Sequence, residues 1–97
     1  MNIREHVLKT TPDMWYAVES GEKNFEVRRD DRGFQRGDIL VLRRLSVDSF
    51  GNTSHSYVDH RNGKPLELRR KIIWILTGGQ FGIEPGYVVM ALGNVDE

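Results

Sequence analysis

Lys23, Glu26 and Arg28 stand within six residues, and alternation along an extended segment places Glu26 and Arg28 on one face, within reach of each other or of a common ligand. A carboxylate beside a guanidinium can accept from the amino edge of a base while the guanidinium stacks or meets a phosphate, as in the reading of single-stranded RNA. The same pair can equally be an ordinary salt bridge. Lys9 and Lys23 bracket a predicted helix, so both ammonium groups are expected at one cleft beside it. Asp31, Arg32 and Asp38 are further candidates, although aspartates in a glycine-rich connection also bond nearby backbone in turns. Trp15 and Tyr16 can stack on a base or pack against the sheet.

Other chemistries fit poorly. The chain has no cysteine, and His6, His55 and His60 are its only histidines, with an H-x4-H spacing unlike zinc patterns, so no metal or other cofactor is expected. There is no phosphate-loop motif, and Gly78-Gly79 precedes a predicted strand instead of a helix. Ser54 next to His55 in a polar segment does not produce a nucleophile with its base.

The positions of the charges say more than their total. Lys and Arg balance Asp and Glu at 14 each, but residues 1–22 sum to −2, residues 23–71 to +5 and residues 72–97 to −3. A basic centre suits a phosphate-binding face, and it also suits mixed-sign strands that simply stay soluble. Ninety-seven residues, 38% hydrophobic and 29% charged, make a single domain with one modest core. The charged opening segment MNIREHVLK has no apolar stretch of a secretory signal, and the apolar run 72–76 is far too short to cross a membrane. A cytoplasmic protein without a membrane partner is expected.

The elements that must position the charged residues are legible in outline. Residues 3–10 read as a strand, with Val7 and Lys9 on one face and His6 and Leu8 on the other. Thr11-Pro12 with Asp13 opens a helix over 12–20, closed by Gly21, with Met14, Ala17 and Val18 as its apolar stripe. Residues 23–29 form a second strand, 30–38 a turn-rich connection anchored by Phe34, and 39–45 a strand apolar on both faces up to Leu42. Residues 46–65 are the least determined, with turn signals at Gly51-Asn52 and Asn62-Gly63. A long strand over 66–76 starts charged and ends in a run expected to be buried on both faces, and 87–92 is a last apolar strand. The fold class is mainly β with one principal helix (α+β), predicted as a small, partly closed barrel with the helix over one side.

The ordered series His6-x-Leu8-Lys9, the helix, Gly21-x-Lys23-x-Phe25-Glu26-x-Arg28, Asp31-Arg32, Gly37-Asp38 and Gly86-Tyr-Val-Val-Met90 resembles the ASCH domains of the PUA-like superfamily. It looks closest to a small bacterial and phage branch whose function is not established. The likeness spans nearly the whole chain and is weakest over 46–65. It implies a PUA-like β-barrel whose cleft beside the first helix takes RNA or a nucleobase-containing ligand, with Lys23, Glu26 and Arg28 as cleft residues. His6, Lys9, Asp31 and Arg32 match positions characteristic of the smaller branch. One ASCH branch removes the acetyl group from acetylated cytidine through a lysine and a threonine at the positions matching Lys23 and residue 26. Here that threonine is Glu26, which can act only as a general base toward water, so an amidohydrolase using Lys23 and Glu26 is the second reading. A protein-interaction module is the third.

Overall fold

A computed structural model describes residues 2–96, without the side chains of residues 55 and 56, so the expectation that His55 and Ser54-His55 carry no chemistry lies outside the described residues. Strand β1 (Glu5–Thr10) alternates exposed and buried positions, turning His6, Leu8 and Thr10 inward. Helix α1 (Pro12–Ser20) starts after Thr11 in extended conformation and stops at Gly21, whose φ of 86° is left-handed and costs glycine nothing. The inward face of the helix differs from the expected stripe. Trp15 and Val18 are buried, while Met14 is exposed. Trp15 carries the largest apolar surface together with an N–H that needs an acceptor, and its Nε1 donates to the Leu42 carbonyl at 2.9 Å, seating the helix on β3 (Ile39–Val47).

The remaining strands are β2 (Phe25–Arg29), β4 (Thr53–Val58), β5 (His60–Arg61), β6 (Lys64–Pro65), β7 (Glu67–Thr77) and β8 (Tyr87–Gly93). Six strands form one mixed sheet in the order β1-β3-β7-β8-β2, with β4 paired to β3, and β5–β6 make a separate hairpin. Among the described residues only the β1–β3 pairing is parallel. At the β5–β6 turn Asn62 and Gly63 both take positive φ, 55° and 76°, as the Asn-Gly signal requires. The core gathers Leu8, Trp15, Phe34, Leu40, Leu42 and Ile72 with the inward residues of β8.

Two expectations need correction. The run 72–76 is not buried on both faces. Ile72 opposes Leu92 and Trp74 opposes Ala91, so Ile73 is an extra residue, and this bulge leaves Ile73 and Trp74 both exposed. Nor is a barrel closed by backbone pairing: β1 and β2 are the two ends of the strand order, and no ladder joins them among the described residues. Guanidinium groups link them instead. Arg28 Nη1 donates to the Lys9 carbonyl at 3.2 Å, Arg32 Nη1 donates to the Val7 carbonyl at 2.8 Å, and Arg4 Nη2 donates to the Gly33 carbonyl. Val7 and Lys9 are two residues apart, so their carbonyls leave the same edge of β1, where an unpaired edge strand presents acceptors. Among the described residues no helix is long and apolar enough to cross a membrane.

The β7–β8 connection depends on close backbone approach at Gly78. A Cβ there would lie 2.1 Å from the Glu84 carbonyl oxygen and 2.7 Å from that of Tyr87. Gly78→Ala should therefore lower stability by about 2 kcal/mol or more in urea unfolding, whereas Gly51→Ala, with open space around its Cβ but a φ of 83°, should cost only about 1 kcal/mol.

Candidate ligand-binding cleft

Strand β2 is inside out relative to its hydrophobicity. Its apolar residues Phe25 and Val27 are 42% and 49% exposed, while the carboxylate of Glu26 is turned inward and only 3% exposed. An apolar-in strand would have gained roughly 1.5–3 kcal/mol for each large side chain fully buried, so a carboxylate in their place has to be compensated locally. Lys23 Nζ donates to Glu26 Oε1 at 2.7 Å and Arg28 Nε donates to Oε2 at 3.0 Å. Each carboxylate oxygen thus has its own cation, the arrangement that makes a buried charge tolerable.

Neighbouring elements fix the two cations. The Lys23 N–H donates to the Ala17 carbonyl at 2.9 Å and the Asn24 carbonyl accepts from Leu92 N–H at 2.8 Å, so the segment from helix to β2 is held at both ends. Arg28 reaches across to β1, giving Nη1 to the Lys9 carbonyl and Nη2 to the Thr10 hydroxyl at 3.2 Å each. Thr10 Oγ1, itself buried, donates on to the Leu8 carbonyl at 3.4 Å. Above this floor opens a cleft of about 450 Å³ lined by Lys9, Thr10, Met14, Lys23, Phe25 and Arg28, with Thr11, Glu26 and Val27 completing it. The three cations against one carboxylate leave two surplus positive charges at its mouth and floor.

The structure therefore brings Lys9, Lys23, Glu26 and Arg28 together, and leaves His6, Asp31 and Arg32 out of the cleft lining. His6 is buried: its Nε2 lies 2.8 Å from Asp38 Oδ2 and its ring meets the edge of Phe34 at 4.8 Å. Asp31 is exposed with Arg32 Nε 3.6 Å away, and Arg32 is occupied by the β1 edge. Asp30 builds the turn, its Oδ1 accepting from Gly33 and Phe34 N–H at 2.9 and 3.0 Å. Asp38 is structural too: it accepts from Gln35 N–H at 3.1 Å and Arg4 N–H at 3.3 Å as well as facing His6. Thr10, Thr11, Met14, Phe25 and Val27 also line the cleft and were missed as cleft residues. The small hydroxyl two positions after Leu8 and next to Lys9 was the available signal for Thr10. Among the described residues no group of three or more His, Cys, Asp or Glu side chains is arranged to hold a metal ion.

Fold and cleft define a small α+β protein with a mixed sheet, one covering helix and a cation-floored cleft between the sheet's end strands. The chain belongs to the DUF3850 family, a domain of unknown function, which matches residues 5–92. Comparison with curated proteins gave no match.

Burial pushes the Asp38 carboxyl up, but the hydrogen bond to His6 and the backbone N–H groups of Arg4 and Gln35 outweigh it and hold the group below its ordinary value of 3.8. A depressed carboxyl contributes stability that is complete above the unfolded-state value and disappears as pH falls through the folded-state one. Asp38→Asn should accordingly cost about 2 kcal/mol at pH 7, and its deficit relative to wild type should shrink as urea unfolding is repeated from pH 5 down to pH 2. A deficit that stays constant would assign the cost to shape instead of charge.

Proposed function

We propose that the cleft binds a nucleobase-bearing ligand, a nucleotide or a short single-stranded segment of RNA, and that the protein is a binding module. The observation that carries this reading is the inverted strand β2. Glu26 lies beneath Lys23 and Arg28 with both oxygens engaged, so what the cleft offers a ligand is donors: ammonium hydrogens of Lys23 and Lys9 and the N–H groups of Arg28 that Glu26, Lys9 and Thr10 do not use. Such a site selects acceptors, meaning carbonyl oxygens and ring nitrogens of a base edge or phosphate oxygens. Glu26 is then a counter-ion that positions the donors, and direct acceptance from a base amino group is the lesser part of its role. Met14, Phe25 and Val27 supply the apolar walls against which a flat ring packs, and the volume lies in the range of small-ligand sites.

We also read the chain as a member of the ASCH branch of the PUA-like superfamily. The ordered series of residues supports this, and so does a sheet whose end strands approach within the length of an arginine side chain, which we interpret as a PUA-like barrel sealed on one side by guanidinium groups. The cytoplasm, where RNA and nucleotides are found, is the compartment we infer. The amidohydrolase alternative asks Glu26 to take a proton from water, yet each of its oxygens already accepts from a cation. Acetylated cytidine incubated with the protein should therefore be recovered unchanged.

Titration with nucleosides, mononucleotides and short RNAs at two salt concentrations tests the binding reading. Lys23→Ala and Arg28→Ala should each weaken binding about tenfold, the loss of one charge-assisted hydrogen bond. Glu26→Gln adds positive charge to the cleft yet should also weaken binding about tenfold, because the donors lose the group that aims them. Tighter binding by Glu26→Gln would show that charge alone matters, and no binding by the wild type would remove the proposal.

A further inference from the structure

We infer a second nucleic-acid surface: the outward face of β2, β8 and β7 is a stacking platform for single-stranded RNA, continuous with the cleft and resting on the reading of the cleft given above. Register places Phe25, Ala91 and Trp74 in one row across the three strands, and Arg29 beside Tyr87 in a row farther along. Phe25 and Trp74 are thus about two strand spacings apart, ~9.6 Å, with the smallest side chain of the row as the floor between them. Allowing for the thickness of the two rings, that slot admits a planar group. The Phe25 and Arg29 rows are four residues, about 13 Å, apart along β2, a span that two nucleotides of an extended strand bridge.

Trp74 reaches this face because of the bulge. Strict alternation from buried Ile72 would send residue 74 into the core, and the extra residue Ile73 reverses the parity, leaving Trp74 52% exposed. Cations accompany the other two rings: Lys23 Nζ lies 5.2 Å from the Phe25 ring centre and the Arg29 guanidinium 5.6 Å from that of Tyr87. The outward carboxylate described on these strands, Glu67, stands at the far end of β7 from Trp74 and is paired with Arg43, whose Nε donates to it at 3.0 Å. The exposed rings of Phe25 and Trp74, with the half-buried Tyr87 and nearby cations and with the one outward acid at the far end already paired, suit a chain of planar bases joined by phosphates. A second copy of the protein suits it less, since packing the face on itself would bring the Arg29 guanidinium groups of the two copies toward the same patch with no acid next to them. Phe25 and Lys23 also line the cleft, so a strand leaving the cleft passes directly onto the platform.

The chain has two tryptophans, and Trp15 is buried with its N–H bonded, so quenching of exposed tryptophan emission reports Trp74. The full chain is titrated with uridine monophosphate and with oligouridylates of two to eight nucleotides. Oligomers of four or more should bind about tenfold tighter than the mononucleotide, the contribution of one stacked base, and should quench Trp74. Trp74→Ala should abolish the length increment and leave mononucleotide affinity within about twofold, while Trp74→Phe should keep most of the increment. Arg29→Ala should reduce the slope of log affinity against log salt by about 0.7. Mononucleotide binding with no gain in length overturns the platform and leaves the cleft reading intact; quenching by oligomers without mononucleotide binding removes the cleft reading and supports the platform. Quenching by a proline-rich peptide but not by RNA, or a dimer in which Trp74 becomes shielded, also overturns it.

Discussion

Glu26 sits where a hydrophobic side chain would ordinarily be, and most of the cleft follows from what it takes to keep a charge there. An uncompensated buried carboxylate would cost several kcal/mol, so Lys23 and Arg28 are held against it, one on each oxygen. To meet Glu26, Lys23 must lie close behind the helix stop at Gly21, separated from it by Glu22, which sets the distance between α1 and β2. To meet it from the other side, Arg28 must lie on the same strand face, where its remaining reach extends to Lys9 and Thr10 on β1. One carboxylate thus fixes the helix exit, the face of β2 and the approach of the two end strands. The apolar side chains displaced from the interior by this choice, Phe25 and Val27, become the wall of the cleft and part of an open sheet face.

Much of this was readable because local chemistry wrote it. Thr11-Pro12 and Gly21 marked the helix ends within a residue, Phe34 was identifiable as the anchor of its loop, and alternation correctly put Glu26 and Arg28 together. What alternation does not reveal is which face turns inward. Alternation separates Phe25 and Val27 from Glu26 and Arg28 without saying which pair is buried, and the cations on both oxygens of Glu26 are what let it turn inward. The bulge at Ile73 was equally hidden, since an extra residue in a strand leaves no compositional trace when its neighbours are all apolar. His6, Asp31 and Arg32 share the charged character of the cleft residues but lie outside the cleft lining. His6 answers Asp38, Arg32 caps a free carbonyl of β1, and Asp31 faces solvent. Charge type alone does not distinguish a side chain that lines the cleft from one that closes an edge.

The loop between β2 and β3 shows the same economy with aspartates. Asp30 and Asp38 each gather two backbone N–H groups and together set the path that brings Phe34 into the core. With the connection pinned in this way, Arg32 and Gly33 lie opposite β1, and the guanidinium contacts to Val7 and Gly33 become possible. Loop and strand edge are therefore one construction, although they are separated by some 25 residues of chain.

Joining β1 to β2 through guanidinium groups has a consequence for how such a protein changes over generations. A backbone ladder is specified by the register of whole strands and is lost or kept as a unit. The contacts of Arg4 and Arg32 are divisible: each is one side chain between β1 and the β2–β3 connection, and neither holds the charge of Glu26, which Arg28 does. The spacing between β1 and the β2–β3 connection can thus change by single substitutions at these two positions, separately from the register of the strands and from the core.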